Sequence, residues 1–285
     1  MRKLDRPDEP SDFRVEVASA YASVARTISK GASPAFPSLW SKFKPIFAKA
    51  QLGKCGYCEG QVHGLQYGDV EHIQPKAEVH DLADDPNEWG EEVPWSSKVR
   101  NRNTKKEIER PGYWWRAYAW DNYLLSCQTC NQQWKRNLYP VNGHRILGPT
   151  PNDAGEPLLL SPFDESLQPH EHFAYGRLGE IRGLTPHGRA TIATCGLDRP
   201  SLRLARQKLA SATHDYLDEV GGDLTERELL RLLRTIERDG ADVQPYCGMV
   251  RTIFRQRTNM DWTELATLIG RLATSRTPDH SLCDC

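Results

Sequence analysis

The chain reads Cys55-Gly-Tyr-Cys58, then Gly68-Asp-Val-Glu-His72, then Cys127-Gln-Thr-Cys130-Asn131. A Cys-x-x-Cys turn brings two sulfurs onto one ion, and two such turns complete the tetrahedral four-sulfur set that Zn²⁺ takes in structural sites. Because four protein ligands leave no open position for a substrate, the spacing predicts a zinc site that braces the fold. The alternative is a redox dithiol, which usually has a single pair on a thioredoxin-like βαβ unit, and we see no such pattern in the sequence.

Charge and hydropathy set the broad class of the protein. The 285 residues include 37 basic and 38 acidic side chains, a formal net charge of −1, so a nucleic acid would have to meet a local basic patch. No apolar run approaches the ~18 residues of a membrane span, and we recognise no signal peptide. These observations predict a cytoplasmic protein with no membrane partner. In that reducing compartment, paired cysteines are more often metal ligands than disulfides.

The sequence divides into three predicted segments. Residues 1–50 form an N-terminal helical segment, of which the polar residues 1–12 are expected to be disordered. Residues 51–195 contain the cysteine pairs together with loops and short strands, and residues 196–285 show the apolar spacing of helices.

An insertion of unusual charge lies inside the middle segment, at residues 81–112. Residues 81–92 include six acidic side chains, and residues 98–110 include six basic side chains against two acidic ones. A solvated loop and a basic flap over a phosphate backbone are both consistent with this pattern.

The Glu71-His72 pair lies at the end of a predicted strand, residues 66–73, which stops before Pro75. Adjacent strand residues point to opposite faces, so a bend or a bulge is needed to bring both side chains to one site. A lone histidine is often a structural residue, but this one has polar neighbours in the motif that would suit a catalytic base.

Three polar residues accompany the second cysteine pair. Asn131 and Lys135 are four residues apart and fall on one face of a predicted helix. The amide oxygen of Asn131 is a hard ligand, suited to Mg²⁺ or Mn²⁺ rather than to Zn²⁺. Asn122 is either a turn residue at a strand end or a clamp that orients the loop after His72.

These residues resemble the signature of HNH endonucleases, which have the ββα-metal fold. The three signature positions correspond to His72, Asn122 and Asn131, with Asn in place of the last His. The resemblance implies that His72 is the general base, that Glu71 and Asn131 bind a catalytic Mg²⁺ or Mn²⁺, and that Asn122 positions the base. Most members of the family have Asp where this chain has Glu71, which makes Asp69 a second candidate ligand.

The chain also resembles the HNH nuclease subunit of Septu anti-phage defence systems, a group found beside some retrons as well. The resemblance implies a bacterial cytoplasmic nuclease that acts on DNA, with its HNH domain at residues 51–195, and that works with an ATPase subunit of the ABC or SMC type. The segments that support it are Cys58-Glu59, Glu71-His-Ile-Gln-Pro-Lys76, Gly112-Tyr-Trp-Trp115, Trp120-Asp-Asn122, Cys130-Asn131, Tyr139-Pro140 and Glu156-Pro-Leu-Leu-Leu160.

The expected fold is α+β, a ββα-metal HNH core with a four-cysteine zinc site, embedded in N- and C-terminal helices. The expected activity is metal-dependent phosphodiester hydrolysis, in which His72 takes a proton from water and Lys135 and Arg136 contact phosphates. Since this needs a neutral histidine, activity should fall below about pH 6.5. A stand-alone restriction-type nuclease, an RNase and a non-catalytic zinc module for protein binding are the alternatives.

Two further clusters have more than one interpretation. His170 and His172 are either a surface turn or a second metal-binding pair. An aromatic cluster is either core packing or a stacking platform for an unpaired base, and its members are Tyr113, Trp114, Trp115, Tyr118 and Trp120.

Overall fold

The computed structural model describes residues 1–30, 32–62, 68–82, 98–100, 107–109, 112–143, 149 and 156–274. Most of the charged insertion therefore lies outside the described residues, and both interpretations of it stay predictions. Helices and short strand pairs both contribute to the fold, which confirms the α+β class. Among the described helices, none is long and apolar enough to cross a membrane.

The N-terminal segment includes helices. It contains α1 (Phe13–Ser29), a 3₁₀ turn at Leu39–Phe43 and α2 (Lys44–Ala50). Pro45 lies in the first turn of α2, where its missing N–H costs no helical hydrogen bond.

The prediction that residues 1–12 are disordered is wrong. Met1 and Leu4 are buried. The Leu4 N–H donates to the Pro162 carbonyl at 2.7 Å, and the Met1 ammonium pairs with Glu59 at 2.7 Å. A prediction from the average polarity of the segment misses this packing, because a few buried residues are enough to hold an extended chain in place.

Antiparallel strand pairs make up the β part of the described chain. The pairs are β1 with β4, β2 with β3, β5 with β6, and β7 with β8. In the first pair, Gly68 lies opposite Cys127 and His72 lies opposite Tyr123, which sets the Glu-His pair beside the strand that leads into the second cysteine pair. The strands are β1 (Gly68–His72), β2 (Lys98–Arg100), β3 (Glu107–Glu109), β4 (Tyr123–Cys127), β5 (Val141–Asn142), β6 (Glu156–Pro157), β7 (Phe173–Tyr175) and β8 (Ile181–Gly183).

A short helical segment with π-type hydrogen bonding, Thr129–Lys135, follows β4. It ends at Arg136, whose φ of 45° lies in the left-handed region. Such π turns are uncommon in proteins overall, but those that occur are often found at functional sites. The paired strands β1 and β4, which are separated in the chain by β2 and β3, are therefore followed by a helical segment.

The C-terminal segment is helical as far as residue 274, where the described residues end. Thr225 and Glu228 form a reciprocal capping box at the start of α6. The helices from the middle segment onward are α3 (Pro169–His172), α4 (Pro186–Cys195), α5 (Pro200–Val220), α6 (Glu226–Asp239), α7 (Cys247–Thr258) and α8 (Trp262–Thr274).

One apolar core includes residues from all three predicted segments. Trp120 lies among its aromatic rings, with its centroid 5.1 Å from that of Phe13 and 4.6 Å from that of Phe47. Tyr113, Tyr118 and Trp120 are all buried, which confirms core packing for these three members of the aromatic cluster. The other two members of the cluster are half-buried.

Trp120→Ala should destabilise the protein by about 3–5 kcal/mol, because it removes a buried ring and leaves a cavity. Urea unfolding of the zinc-loaded protein measures this change. The control is Leu204→Ala on α5, where the side chain is exposed and the change should stay within about 0.5 kcal/mol. Equal midpoints for the two variants would contradict the placement of Trp120 in the core.

Candidate functional site

Four buried thiols converge where the two Cys-x-x-Cys turns meet. The Sγ atoms of Cys55, Cys58, Cys127 and Cys130 all lie within 4.8 Å of one another, and those of Cys58 and Cys127 are 3.9 Å apart. Four sulfurs at ~2.3 Å from a zinc ion would be about 3.8 Å from each other. The four thiols are therefore positioned to bind one metal ion, and their geometry and chemistry fit structural Zn²⁺.

Backbone amides support the sulfur atoms. The Gly60 N–H donates to Cys58 Sγ and the Cys130 N–H donates to Cys127 Sγ, both at 3.4 Å. Hydrogen bonds of this kind stabilise the thiolate form and orient the ligands of a metal site.

The first cysteine turn is attached directly to β4. The Gly56 N–H donates to the Leu125 carbonyl at 2.9 Å. The Gln51 side chain donates to the same carbonyl at 2.9 Å and accepts from the Leu125 N–H at 2.7 Å. These bonds hold the first turn and β4 in one register.

Arg199 is the cation next to the cysteine cluster. Its Nη1 lies 3.5 Å from Cys130 Sγ and donates to the Gly196 carbonyl at 2.9 Å. Burial acts to lower the pKa of Arg199, but the thiolates of Cys130 and Cys58 outweigh it and raise that pKa. Four thiolates around a bound Zn²⁺ would carry a net charge of −2, and Arg199 would balance part of that charge.

His72, at the end of β1, is buried between aromatic rings. Its ring is edge-on to Trp40 and to Tyr123, with centroid distances of 4.5 and 5.1 Å. Its Nε2 lies 3.0 Å from the Ala117 carbonyl oxygen. Because a carbonyl only accepts, Nε2 carries the proton of the neutral ring and Nδ1 is the basic nitrogen. Within the described residues, Nδ1 has no hydrogen-bond partner.

Burial of His72 keeps its ring neutral. Burial, together with the nearby charge of Lys76, lowers the pKa of His72 to about 3. The expectation that activity falls below about pH 6.5 depended on an ordinary histidine pKa, and the burial of this ring removes that basis. His72 stays unprotonated in the mildly acidic range.

Glu71 and Lys135 form a buried ion pair. Glu71 Oε1 lies 2.5 Å from Lys135 Nζ, which also donates to the His72 carbonyl at 2.9 Å. Burial raises the pKa of Glu71, and the charge of Lys135 opposes this rise. Lys135 has no exposed side-chain surface, so its position favours holding the end of β1 over contacting a phosphate.

The side chains of Glu71 and His72 point to opposite faces of β1. The strand pairs with β4 in regular antiparallel register through both residues, and the bend or bulge that would bring them together is not present in β1. His72 therefore meets the aromatic rings, while Glu71 meets the helical segment after β4.

Asn122 fastens the loop that follows His72. Its Oδ1 accepts from the Gln74 N–H at 2.7 Å, and its Nδ2 donates to the carbonyls of Gln74 at 3.0 Å and Arg116 at 2.9 Å. The side chain is buried, and the residue lies in a 3₁₀ turn just before β4. Of the two interpretations of Asn122, the contacts favour a clamp on the loop after His72.

The oxygen donors that the sequence predicts for a catalytic cation lie on β1 and on the helical segment. Asp69 and Glu71 share one face of β1, and Asn131 is half-buried in the segment Thr129–Lys135. Hard oxygen ligands of this kind suit Mg²⁺ or Mn²⁺. A cation on Glu71 would have to take the place of the Lys135 ammonium. Among the described contacts, no hydrogen bond or ion pair joins the Asn131 side chain to the other site residues.

The histidines of α3 have other partners. His172 Nδ1 lies 2.7 Å from Thr185 Oγ1. Within the part of the chain that the structure describes, the cysteine cluster is the one group of three or more Cys, His, Asp or Glu ligands close enough to share an ion. His170 and His172 lie in the short helix α3 rather than in a turn, and neither belongs to a described group of three or more possible ligands.

A curated relative supports the resemblance noted from the sequence. The chain is 30% identical over 169 residues to the Septu protein PtuB of Bacillus mycoides strain KBAB4, over 59% of this chain and 50% of that protein. The chain spans about half the length of that relative. No protein-family model matches the chain, and no solved structure matches it.

Three contacts of the site could not be found from sequence. Trp40 and Ala117 contact the His72 ring from positions 32 residues before it and 45 residues after it, and Ala117 contributes only a backbone carbonyl. Arg199 reaches Cys130 over 69 residues. No local pattern indicates any of them, although Trp40 and Ala117 lie in apolar stretches that could have been expected to pack near the motif.

Cys127→Ser should abolish stoichiometric zinc and much of the stability, because structural zinc contributes on the order of 10 kcal/mol to folding. Metal analysis and thermal unfolding of the purified variant measure both effects. Cys195→Ala is the control, since Cys195 is buried outside the cluster and its loss should leave zinc bound. A Cys127→Ser protein with full zinc content and an unchanged melting temperature would rule out the metal site.

Asn122→Ala should loosen the loop after His72, because it leaves the Gln74 amide and carbonyl without their partner at a cost of about 1–3 kcal/mol per unpaired group. Hydrogen exchange should become faster at the Gln74 amide while β7 and β8 stay protected. Asn142→Ala, at an exposed position of β5, is the matched control. Unchanged exchange at Gln74 would show that Asn122 does not hold this loop.

Proposed function

We propose that this chain is a metal-dependent endonuclease of the HNH type that hydrolyses phosphodiester bonds of DNA. The observation that supports this best is the orientation of His72, whose Nε2 donates to the Ala117 carbonyl and whose Nδ1 is therefore the unprotonated nitrogen of a neutral ring. A catalytic base needs that protonation state and a fixed orientation.

The arrangement around His72 also supports a ββα-metal core. β1 and β4 pair and lead into the segment Thr129–Lys135, and the four-cysteine cluster joins the loops at their ends. This is the order of elements that the HNH resemblance implies.

The residues of the chain would share the reaction as follows. His72 Nδ1 takes a proton from the attacking water. Asn122 fixes the loop after His72, and Lys135 fixes the His72 carbonyl. Asn131, together with Asp69 or Glu71, would hold Mg²⁺ or Mn²⁺, which supplies positive charge against the developing charge on the phosphate oxygens.

The defence setting follows from the relative. The matched protein is named a Septu protein, and we propose that this chain is the effector subunit of a bacterial anti-phage system. By the same resemblance, its partner is an ATPase of the ABC or SMC type, and it acts in the cytoplasm. The balanced charge of the chain, net −1, is consistent with recruitment to DNA by a partner.

One observation favours a second candidate, a non-catalytic zinc module for protein binding. The Glu71 carboxylate already has a cation, the buried ammonium of Lys135. If that pair never opens and Asp69 does not replace Glu71, the site holds no divalent ion. Divalent-dependent turnover separates the two functions.

His72→Ala should remain folded and zinc-loaded but should no longer nick supercoiled plasmid DNA in Mg²⁺ or Mn²⁺, because the base is gone. Gel assays of the full chain at matched concentrations measure nicking. His170→Ala is the control, since His170 uses its backbone carbonyl in the described structure. If His72→Ala cleaves as fast as the unmodified protein, His72 is not the base.

A further inference from the structure

Lys76 lies beside the proposed base on the same aromatic ring. Its Nζ is 4.6 Å from the centroid of the Trp40 ring, and that ring is 4.5 Å from the His72 ring. Cations are attracted to the face of a tryptophan. The Trp40 side chain, which comes from the N-terminal segment, therefore contacts both the Lys76 ammonium and the His72 imidazole.

The ammonium of Lys76 makes no hydrogen bond or ion pair with an anionic side chain of the described residues. Burial lowers the pKa of Lys76, and the more distant charges of Glu71 and Asp69 only oppose this change. The side chain of Lys76 is half-buried. Its Nζ lies over the Trp40 ring, and this is a contact with the ring face rather than a hydrogen bond or an ion pair. By contrast, the buried Lys135 pairs with Glu71. A lysine ammonium has three donors, and a partly desolvated one favours an anion as its partner.

The loop that carries Lys76 is fixed on both sides. Asn122 binds Gln74, and the Tyr113 N–H donates to the Pro75 carbonyl at 2.7 Å. Gly112 packs so closely that an added Cβ would lie 2.6 Å from the backbone of Lys76. Lys76 is therefore held close to its observed position, which a residue needs if it is to position a substrate.

We infer that Lys76 binds a phosphate group of the nucleic-acid substrate beside His72, the role that the buried position of Lys135 does not favour. The inference depends on the proposed nuclease function and adds to it a residue that positions the substrate backbone. As a point charge, a lysine binds phosphate without reading base sequence.

The test measures DNA binding separately from cleavage. In the full-length chain carrying His72→Ala, the affinity for a duplex DNA oligonucleotide is titrated at several salt concentrations in Mg²⁺. Adding Lys76→Met keeps the aliphatic contact with Trp40 and removes the charge. It should weaken binding by roughly tenfold or more, the worth of a charged hydrogen bond, and reduce the slope of log K against log salt by about 0.9. Lys76→Arg should restore most of both.

The controls separate failure of this inference from failure of the proposed function. Lys208→Met, at an exposed position of α5, should change neither affinity nor slope. If Lys76→Met and Lys208→Met behave alike while the unmodified protein cleaves DNA, the assignment of Lys76 is overturned and the nuclease function stands. If the unmodified protein neither binds nor cleaves DNA, both are overturned.

Discussion

The four-cysteine cluster is the constraint on which the rest of the structure depends. Its first turn is bound to β4 through Gly56 and Gln51. Glu59, the next residue after that turn, accepts from the Gly248 N–H of α7 at 2.8 Å. The second turn opens the segment that carries Lys135, and Arg199 reaches its sulfur from the start of α5. Elements from the middle and C-terminal segments are therefore placed relative to this one cluster of thiols.

Buried polar contacts then fix the positions of the other site residues relative to the cysteine cluster. The pair of Glu71 with Lys135 and the three hydrogen bonds of Asn122 are enclosed in the core. Breaking a buried ion pair by removal of one partner typically costs about 3–5 kcal/mol, although its net contribution to stability can be small. Such contacts are better explained as devices that fix geometry. Here they fix the end of β1, where His72 lies, and the loop that carries Lys76.

The sequence was informative where spacing alone decides the structure. Two Cys-x-x-Cys turns at the observed separation predicted the cysteine cluster, and apolar periodicity predicted the helices on either side of it. Placement across the fold could not be predicted, because Trp40 and Arg199 reach the site through packing that no local pattern encodes. Lys135 is a further example. Its spacing from Asn131 can be read from the sequence, but its burial against Glu71 depends on the pairing of β1 with β4.

Metal removal and addition can distinguish two metals with separate roles in this protein. The zinc-loaded protein would be treated with a chelator too weak to remove zinc, and plasmid cleavage would then be followed as Mg²⁺ or Mn²⁺ is added back. A two-metal protein should retain one zinc per chain, should not cleave before addition, and should show cleavage that saturates with the added ion. Cleavage that is independent of the added ion, or its absence at every concentration with zinc still bound, would contradict the assignment of two metals.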